Sequence, residues 1–310
     1  MASLKDIRRR IGSVKNTQQI TKAMKMVSAA KLRRAQDLIN GARPFADKVE
    51  ELTSRILRDL LKTKTDETQK ILHPLLRQEV VSNKEDETQK PKAYLIAVSS
   101  DKGLCGAYNT NILKFALKEA KALVDEGRKV QFYFVGKRAA DAFTKRGFKG
   151  EFLSDVWAGK FTTTKSDKVA ALLTNKFLKG EVSSVVVFYT QFKTVLSQFV
   201  LKKQLLPLEL NVKKSESDVV ANTDKQFLYE PTQKTLLASL LPGLVKTSLY
   251  RMLADSLASE YGARMTAMDN ATRNAGDMIS RLSLEANRVR QASITKELME
   301  IVGGAEALKG

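Results

Sequence analysis

Hydrophobic positions in the first sixty residues repeat with a helical period. Apolar side chains recur at steps of three and four residues, as at Leu4, Ile7 and Ile11. This spacing predicts one N-terminal helix over residues 1–61, much longer than an ordinary helix of a globular protein. Pro44 is the only proline between Leu4 and the end of this stretch, and it predicts a mild kink.

The C-terminal part of the chain has the same pattern. Residues 249–305 contain no proline, and apolar or small side chains follow the same steps. The periodicity begins near Thr232 and is interrupted at Pro242 and Gly243, where the sequence predicts a kink. Residues 231–310 are therefore predicted to form a second long helical segment.

The apolar face of each long helix cannot be buried by that helix alone. The simplest prediction is that the two terminal helices pair as an antiparallel coiled coil. The many alanines and glycines of the C-terminal segment would let a partner helix come close. The alternative is that each helix packs on the central part of the chain as an ordinary layer. Helices of this length would extend beyond such a layer.

The middle of the chain has a different pattern, which predicts an α/β domain over residues 93–230. Short apolar runs rich in β-branched and aromatic residues predict buried strands at 93–100, 130–136 and 183–190. Helical patterns lie among them, at about 104–125, 137–147 and 166–179. This alternation predicts a mostly parallel sheet with Rossmann-like layers. Residues 194–208 alternate less regularly, as is typical of an edge strand.

Residues 62–92 form a polar connector between the first helix and the α/β domain. The motif DETQK occurs twice in it, at 66–70 and 86–90. Two copies do not make a repeat architecture, so we interpret them as solvated loop. The intervening ILHPLLRQ predicts a short local helix.

Composition limits the chemistry that the chain could perform. It has one cysteine, Cys105, and one histidine, His73, which excludes a disulfide framework, CxxC zinc fingers and most histidine-based sites. The turn SSDKGLCGAYN at 99–109 could hold a phosphate at a helix N-terminus, but it lacks the glycine spacing of nucleotide-binding motifs. We expect a structural turn, a buried Cys105 thiol and an exposed His73. No catalytic, cofactor-binding or metal-binding residue is predicted.

No apolar run has the roughly 18 residues of a membrane span, and the N-terminus lacks the apolar core of a secretory signal. A reducing compartment facing the cytosol is therefore the default prediction.

The charge of the chain is unevenly distributed. The 310 residues carry a formal net charge of +19, yet residues 246–310 hold 9 basic and 8 acidic residues. Residues 1–40 hold 10 basic and 2 acidic residues, and residues 92–180 hold 17 and 8. The charged side chains of the C-terminal segment, such as Asp255, Glu260 and Arg264, predict an ordinary solvated helix face.

A basic stripe on the N-terminal helix predicts a polyanionic partner. At ~100° per helical residue, four basic side chains fall within an arc of about 40°. They are Arg8, Lys15, Lys22 and Arg33. The first 44 residues contain no aromatic residue, which favours an acidic protein surface over single-stranded nucleic acid. A basic coiled-coil protein that binds nucleic acid is the alternative, and a nucleotide-dependent enzyme is a third class.

Three blocks of the sequence resemble the γ subunit family of F-type ATP synthases. They are LKDIRRRIGSVKNTQQITKAMKMVSAAKLRRAQ at 4–36, SSDKGLCGAYN at 99–109, and the segment from ASEYGARMTAMDNATRNAGDMI to NRVRQASITKELMEIVGGAEAL at 258–308. The resemblance covers both terminal helices and the first strand and turn of the middle domain. It implies an antiparallel coiled coil standing in a hexamer of α and β subunits, with the α/β domain below.

The resemblance also implies a non-catalytic rotor subunit of the central stalk. The end of the subunit nearest the membrane would bind the ring of c subunits together with an ε-type subunit. Ion flow would turn the ring, and the subunit would turn with it. The turning shaft would drive each β subunit through its states of ATP synthesis. The resemblance implies no nucleic-acid partner, and membrane contact only through the complex.

Particular residues match positions that make contacts in this family. Those implied to contact β are Met24, Lys25, Arg264, Arg290, Gln291 and Thr295. Those implied to contact the c ring, in the motif FLYEP, are Phe227, Tyr229 and Glu230. The implied location is peripheral, on the cytoplasmic face of the bacterial inner membrane or the matrix side of the mitochondrial one. The lack of a transit-like leader ahead of the first block favours the bacterial location.

Overall fold

The computed structural model describes residues 3–62, 73–76, 92–153, 156–157, 159–209 and 228–307. Two long helices, α1 at Leu4–Lys62 and α5 at Gln233–Ala307, contain 59 and 75 residues. By internal contacts the chain divides into two compact units. The first comprises residues 1–30 and 264–310, and the second comprises residues 31–263.

Within the first unit, α1 and α5 run antiparallel. Gln18 donates a hydrogen bond from its side-chain amide to the Thr272 carbonyl at 3.4 Å, while Lys25, further along α1, contacts Asp269, which is earlier on α5. The seam is narrow, since a Cβ added at Gly276 would lie 3.2 Å from Nε2 of Gln18. These contacts confirm the predicted antiparallel pairing and the role of small residues in it.

The second unit contains the predicted α/β domain. Its strands are β1 Lys92–Val98, β2 Val130–Val135, β3 Gly150–Phe152, β4 Val182–Phe192 and β5 Gln198–Leu206. Its shorter helices are α2 Tyr108–Asp125, α3 Lys137–Thr144 and α4 Thr163–Leu178. The sheet order is β3-β2-β1-β4-β5, and β1 to β4 are parallel. Strand β5 pairs antiparallel with β4 at the edge, as residues 194–208 predicted.

An aromatic cluster forms the core between the sheet and its helices. The rings of Phe132 and Phe143 are 4.5 Å apart, and Phe134 stacks beside them. Leu95 of β1 and Ile112 of α2 complete this buried layer. Burial on this scale is the main stabilisation of such a domain.

Two features of the structure differ from the expectations, and one expectation remains a prediction. Helix α5 is continuous through Pro242, and the kink predicted there remains a prediction. The short strand β3 was not expected. His73 is half-buried rather than exposed, and its Nδ1 accepts a hydrogen bond from the Leu75 amide at 3.3 Å.

The connector is described only at residues 73–76, where Pro74–Leu76 form one 3₁₀ turn. Both DETQK copies lie outside the described residues. The boundaries 1–61, 62–92, 93–230 and 231–310 remain predictions.

Candidate functional site

The residues implied to contact β on α1 lie within the first unit. Met24 is half-buried. The Lys25 ammonium lies 2.5 Å from Asp269 Oδ1, and 44% of the Lys25 side chain is exposed. Arg273 bonds the other oxygen of the same carboxylate at 2.5 Å. The hydrogen bonds from Lys25 and Arg273 lower the pKa of Asp269. Lys25 therefore reaches the surface as one partner of an ion pair.

The residues implied to contact β on α5 differ in exposure. Arg264 is only 8% exposed. Arg290, Gln291 and Thr295 are exposed, and the Thr295 hydroxyl donates to the Gln291 carbonyl at 2.9 Å. The last three are thus available to a partner, whereas Arg264 is engaged within the chain.

The end of α5 presents exposed apolar side chains. Ile294, Leu298, Met299, Ile301 and Val302 are each at least half exposed. Exposed apolar side chains that recur along one element are typical of an interaction surface. We call residues 290–302 the α5 end surface.

The four residues of the basic stripe lie at the surface. Arg8, Lys15 and Lys22 are exposed in the first unit, and Arg33 is exposed in the second. These positions are accessible to an anionic partner.

The residues implied to contact the c ring are described only in part. Phe227 lies outside the described residues, and Glu230 is exposed. The Tyr229 hydroxyl donates to Asp59 Oδ2 at 2.8 Å. Burial and this hydrogen bond raise the pKa of Tyr229 to about 12. Tyr229 therefore ties its segment to α1 within the second unit.

A hydrogen-bonded joint that the sequence did not predict connects α5 and β4. The Thr190 amide donates to the Ser256 hydroxyl at 3.1 Å, and the Ser259 hydroxyl donates to the Thr190 carbonyl at 3.1 Å. Both serines are fully buried. The small residues of α5, such as Gly262 beside Phe192, are the signal that could have indicated a close approach here.

The prediction of a solvated charged face on α5 is wrong at this stretch. Asp255, Glu260 and Arg264 are 2%, 8% and 8% exposed. Burial raises the pKa of Asp255 to about 6, while the positive charges of Arg43 and Arg251 act to lower it. Arg251 is itself paired with Asp47 at 2.6 Å. The helical spacing of charges predicted that Asp255 is exposed. It could not show that β4 packs beside this residue, because the spacing describes α5 alone.

The turn at 99–109 has a structural role, as predicted. Ser99 Oγ accepts from the Ala139 amide at 2.9 Å, and the Trp157 indole donates to the Ser99 carbonyl at 2.8 Å. Cys105 is buried, and its sulfur accepts from the Asn109 side-chain amide at 3.1 Å. These bonds hold β1, α2 and α3 together.

The described residues contain no group of three or more side chains suited to holding a metal ion. Among the same residues, no helix combines the length and apolar character that a bilayer span requires. The long helices are paired, and the end of α5 exposes apolar side chains. These features define the class of the protein as a coiled-coil protein with an α/β domain and a surface suited to binding other proteins.

Comparison with known proteins places the chain within a family. A family model described as ATP synthase matches residues 3–308. The chain is 41% identical to the ATP synthase gamma chain of Bdellovibrio bacteriovorus and 43% identical to that of Nitratidesulfovibrio vulgaris, with both chains fully covered in each case. The chain belongs to the ATP synthase γ chain family.

Solved structures share the fold at lower identity. A chain from the Euglena gracilis mitochondrial ATP synthase, in an OSCP/F1/c-ring structure, has a TM-score of 0.61 at 20% identity. The match covers 98% of this chain and 94% of that one. A Tetrahymena thermophila central stalk and c-ring structure has a TM-score of 0.51 at 24% identity, covering 81% and 99%.

Family membership confirms the expectation of a non-catalytic, central-stalk subunit of an ATP synthase. The nucleic-acid alternative receives no support from these relatives.

Proposed function

We propose that the chain couples rotation of a c-subunit ring to conformational changes in the catalytic β subunits of an ATP synthase. The observation that carries this proposal is the α5 end surface, which is exposed and apolar in a chain of this family. Such a surface favours contact with other subunits because its burial removes apolar area from water.

A rotor must be stiff, and its surface must touch the different states of β differently. The antiparallel pairing of α1 and α5 in the first unit supports the first requirement. The contacts must differ between states because a binding partner shifts the equilibrium between two conformations of β only if it binds one of them more tightly. The proposed contacts with β are Met24, Lys25, Arg290, Gln291 and Thr295, together with the exposed remainder of the largely buried Arg264.

The proposed partners are the α and β subunits, an ε-type subunit and the c ring. The solved relatives are described as rotor, central stalk and c-ring structures, which supports membership in such a complex. Phe227, Tyr229 and Glu230 are the proposed contacts with the ring. We place the chain peripherally on the cytoplasmic face of a bacterial inner membrane, in keeping with its bacterial relatives. The matrix side of the mitochondrial inner membrane is the alternative.

Co-assembly tests this function directly. The chain, mixed with the α and β subunits of the Bdellovibrio relative, should form a complex that elutes together and hydrolyses ATP. The control is the same mixture without the chain. Failure of the chain to enter the complex, while that relative's own γ chain does so, would contradict the proposal.

Replacing both Arg290 and Gln291 with alanine should slow ATP turnover and weaken assembly. We expect a drop of about tenfold in apparent affinity, since a central interface side chain commonly contributes 1–2 kcal/mol. Steady-state hydrolysis against the concentration of the chain measures both effects. Arg288→Ala is the matched control, because Arg288 is also exposed and basic on α5. Unchanged turnover in the double variant would remove these residues from the proposed contacts.

A further inference from the structure

A groove of about 650 Å³ opens between α2 and the end of the β4–β5 hairpin, within the second unit. Helix α2 contributes Lys114, Phe115 and Lys118, and Lys193 follows the end of β4. Residues 198–201 of β5 form the opposite wall. We call this the β5–α2 groove.

The groove extends from the hairpin end of β4, where Gln191 lines it, to the edge strand β5. Side chains alternate between faces along a strand, yet all four consecutive residues 198–201 line the groove. Among the described strands, β5 is the last in the sheet order and pairs with β4 alone. In the described part of the chain, its outer edge has no strand partner. An edge of this kind can accept an added strand, whose backbone supplies the missing hydrogen bonds.

The charges that line the groove have one sign. Lys114, Lys118 and Lys193 contribute three ammonium groups, and none of the described residues that line the groove has a carboxylate. Lys202, one position beyond the lining, is already paired with Glu119 at 2.5 Å. Among the described residues, no ion pair engages the three lining lysines. The groove therefore has an uncompensated positive field that attracts acidic side chains.

The groove also offers apolar contacts at its sides. Phe199 is 46% exposed, with the Lys193 ammonium 5.0 Å from the centre of its ring. Phe115 is half-buried and packs edge-on against Phe188. A strand with alternating acidic and apolar side chains would place its acids against the lysines and its apolar groups against these rings.

We propose that the β5–α2 groove binds an extended acidic segment of a partner protein, which adds as a strand along the outer edge of β5. Its carboxylates meet Lys114, Lys118 and Lys193. A polynucleotide would use the lysines but not the strand edge, and for this reason a peptide fits the geometry better. Binding at this site does not depend on the stalk function, because it can be measured on the chain in isolation.

Fluorescence anisotropy with the full-length chain tests this site. The probe is a labelled peptide of alternating glutamate and valine with both ends capped. We expect saturable binding that Lys114→Glu with Lys118→Glu weakens at least about tenfold, since like charges now face each other. Lys121→Glu with Lys168→Glu is the matched control, because it changes the net charge equally at exposed positions outside the groove. That control should bind like the unmodified chain.

A second probe separates strand addition from charge attraction. The same peptide, N-methylated at alternate amides, keeps its charge but cannot donate hydrogen bonds to the strand edge, so its binding should be lost. Three results would overturn the proposal: equal weakening in both double variants, equal binding of the N-methylated peptide, or tighter binding of an oligothymidylate of the same charge. Thermal unfolding of each variant confirms that it is folded, and Lys193→Glu replaces any variant that is not.

Discussion

Replacing Gly136 with alanine is expected to lower the free energy of unfolding by about 3 kcal/mol or more, from left-handed backbone strain and overpacking together. Gly136 has a φ of +97°, and a Cβ there would lie 2.2 Å from the Ser99 carbonyl oxygen. That carbonyl cannot move freely, because it accepts the Trp157 indole hydrogen bond. Urea unfolding followed by circular dichroism measures the change.

Gly127→Ala separates the two causes. Gly127 also has a positive φ, +75°, but a Cβ added there meets no atom within 4 Å. This variant should therefore lose only the backbone term of about 1 kcal/mol. Equal losses at both positions would mean that the contact with Ser99 carries no cost.

Asp255→Asn should stabilise the protein at pH 7.5 by up to about 3 kcal/mol, at 1.36 kcal/mol per pKa unit. Burial raises the pKa of Asp255 from 3.8 to about 6 in the folded state. The folded protein therefore holds the proton more tightly than the unfolded chain does. The contribution of Asp255 to stability should therefore be greatest below about pH 4 and be lost as the pH rises through about 6. Asparagine has no charge to bury, so the variant should lack this loss. Thermal unfolding from pH 4 to pH 8 measures it.

Asp269→Asn is the control with the opposite sign. The pKa of Asp269 is lowered by Lys25 and Arg273, so its ionised form stabilises the fold. That stabilisation is present above the pKa of the unfolded chain and disappears as the pH falls through the folded pKa. The variant should therefore be less stable at neutral pH and equal to the unmodified protein in strong acid. A gain in stability from both substitutions at neutral pH would contradict the assignment of Asp255.

The sequence was sufficient to predict the long helices and the buried strands. Helical spacing maintained over about fifty residues leaves few alternatives, and a run such as 183–190 is too apolar and β-branched to lie at the surface. Strand β3 is different, because it has three residues, all exposed. Its pairing with β2 comes from tertiary contact that a local pattern does not contain.

The exposure of charged residues was the least predictable feature of the site. Asp255 and Asp269 look alike in the sequence, both on α5 and both near arginines. The first is buried beside β4 and the second lies between Lys25 and Arg273 at the surface. Their pKa values therefore move in opposite directions, which depends on the packing of distant segments and not on helical spacing.

The joint at Thr190 has a mechanical consequence. Ser256 accepts a hydrogen bond from the amide of Thr190 in β4, and Ser259 donates one to its carbonyl. Helix α5 therefore satisfies both backbone groups of this residue, as a neighbouring strand would. A force that pushes α5 along its axis is then opposed by hydrogen bonds loaded in shear, in addition to side-chain packing. Slippage of the helix requires these bonds to break together, with a buried amide and carbonyl left unpaired. Under an increasing force, the adjoining part of α5 would therefore stay fixed to the α/β domain until both bonds break at once. It would not slide gradually along β4.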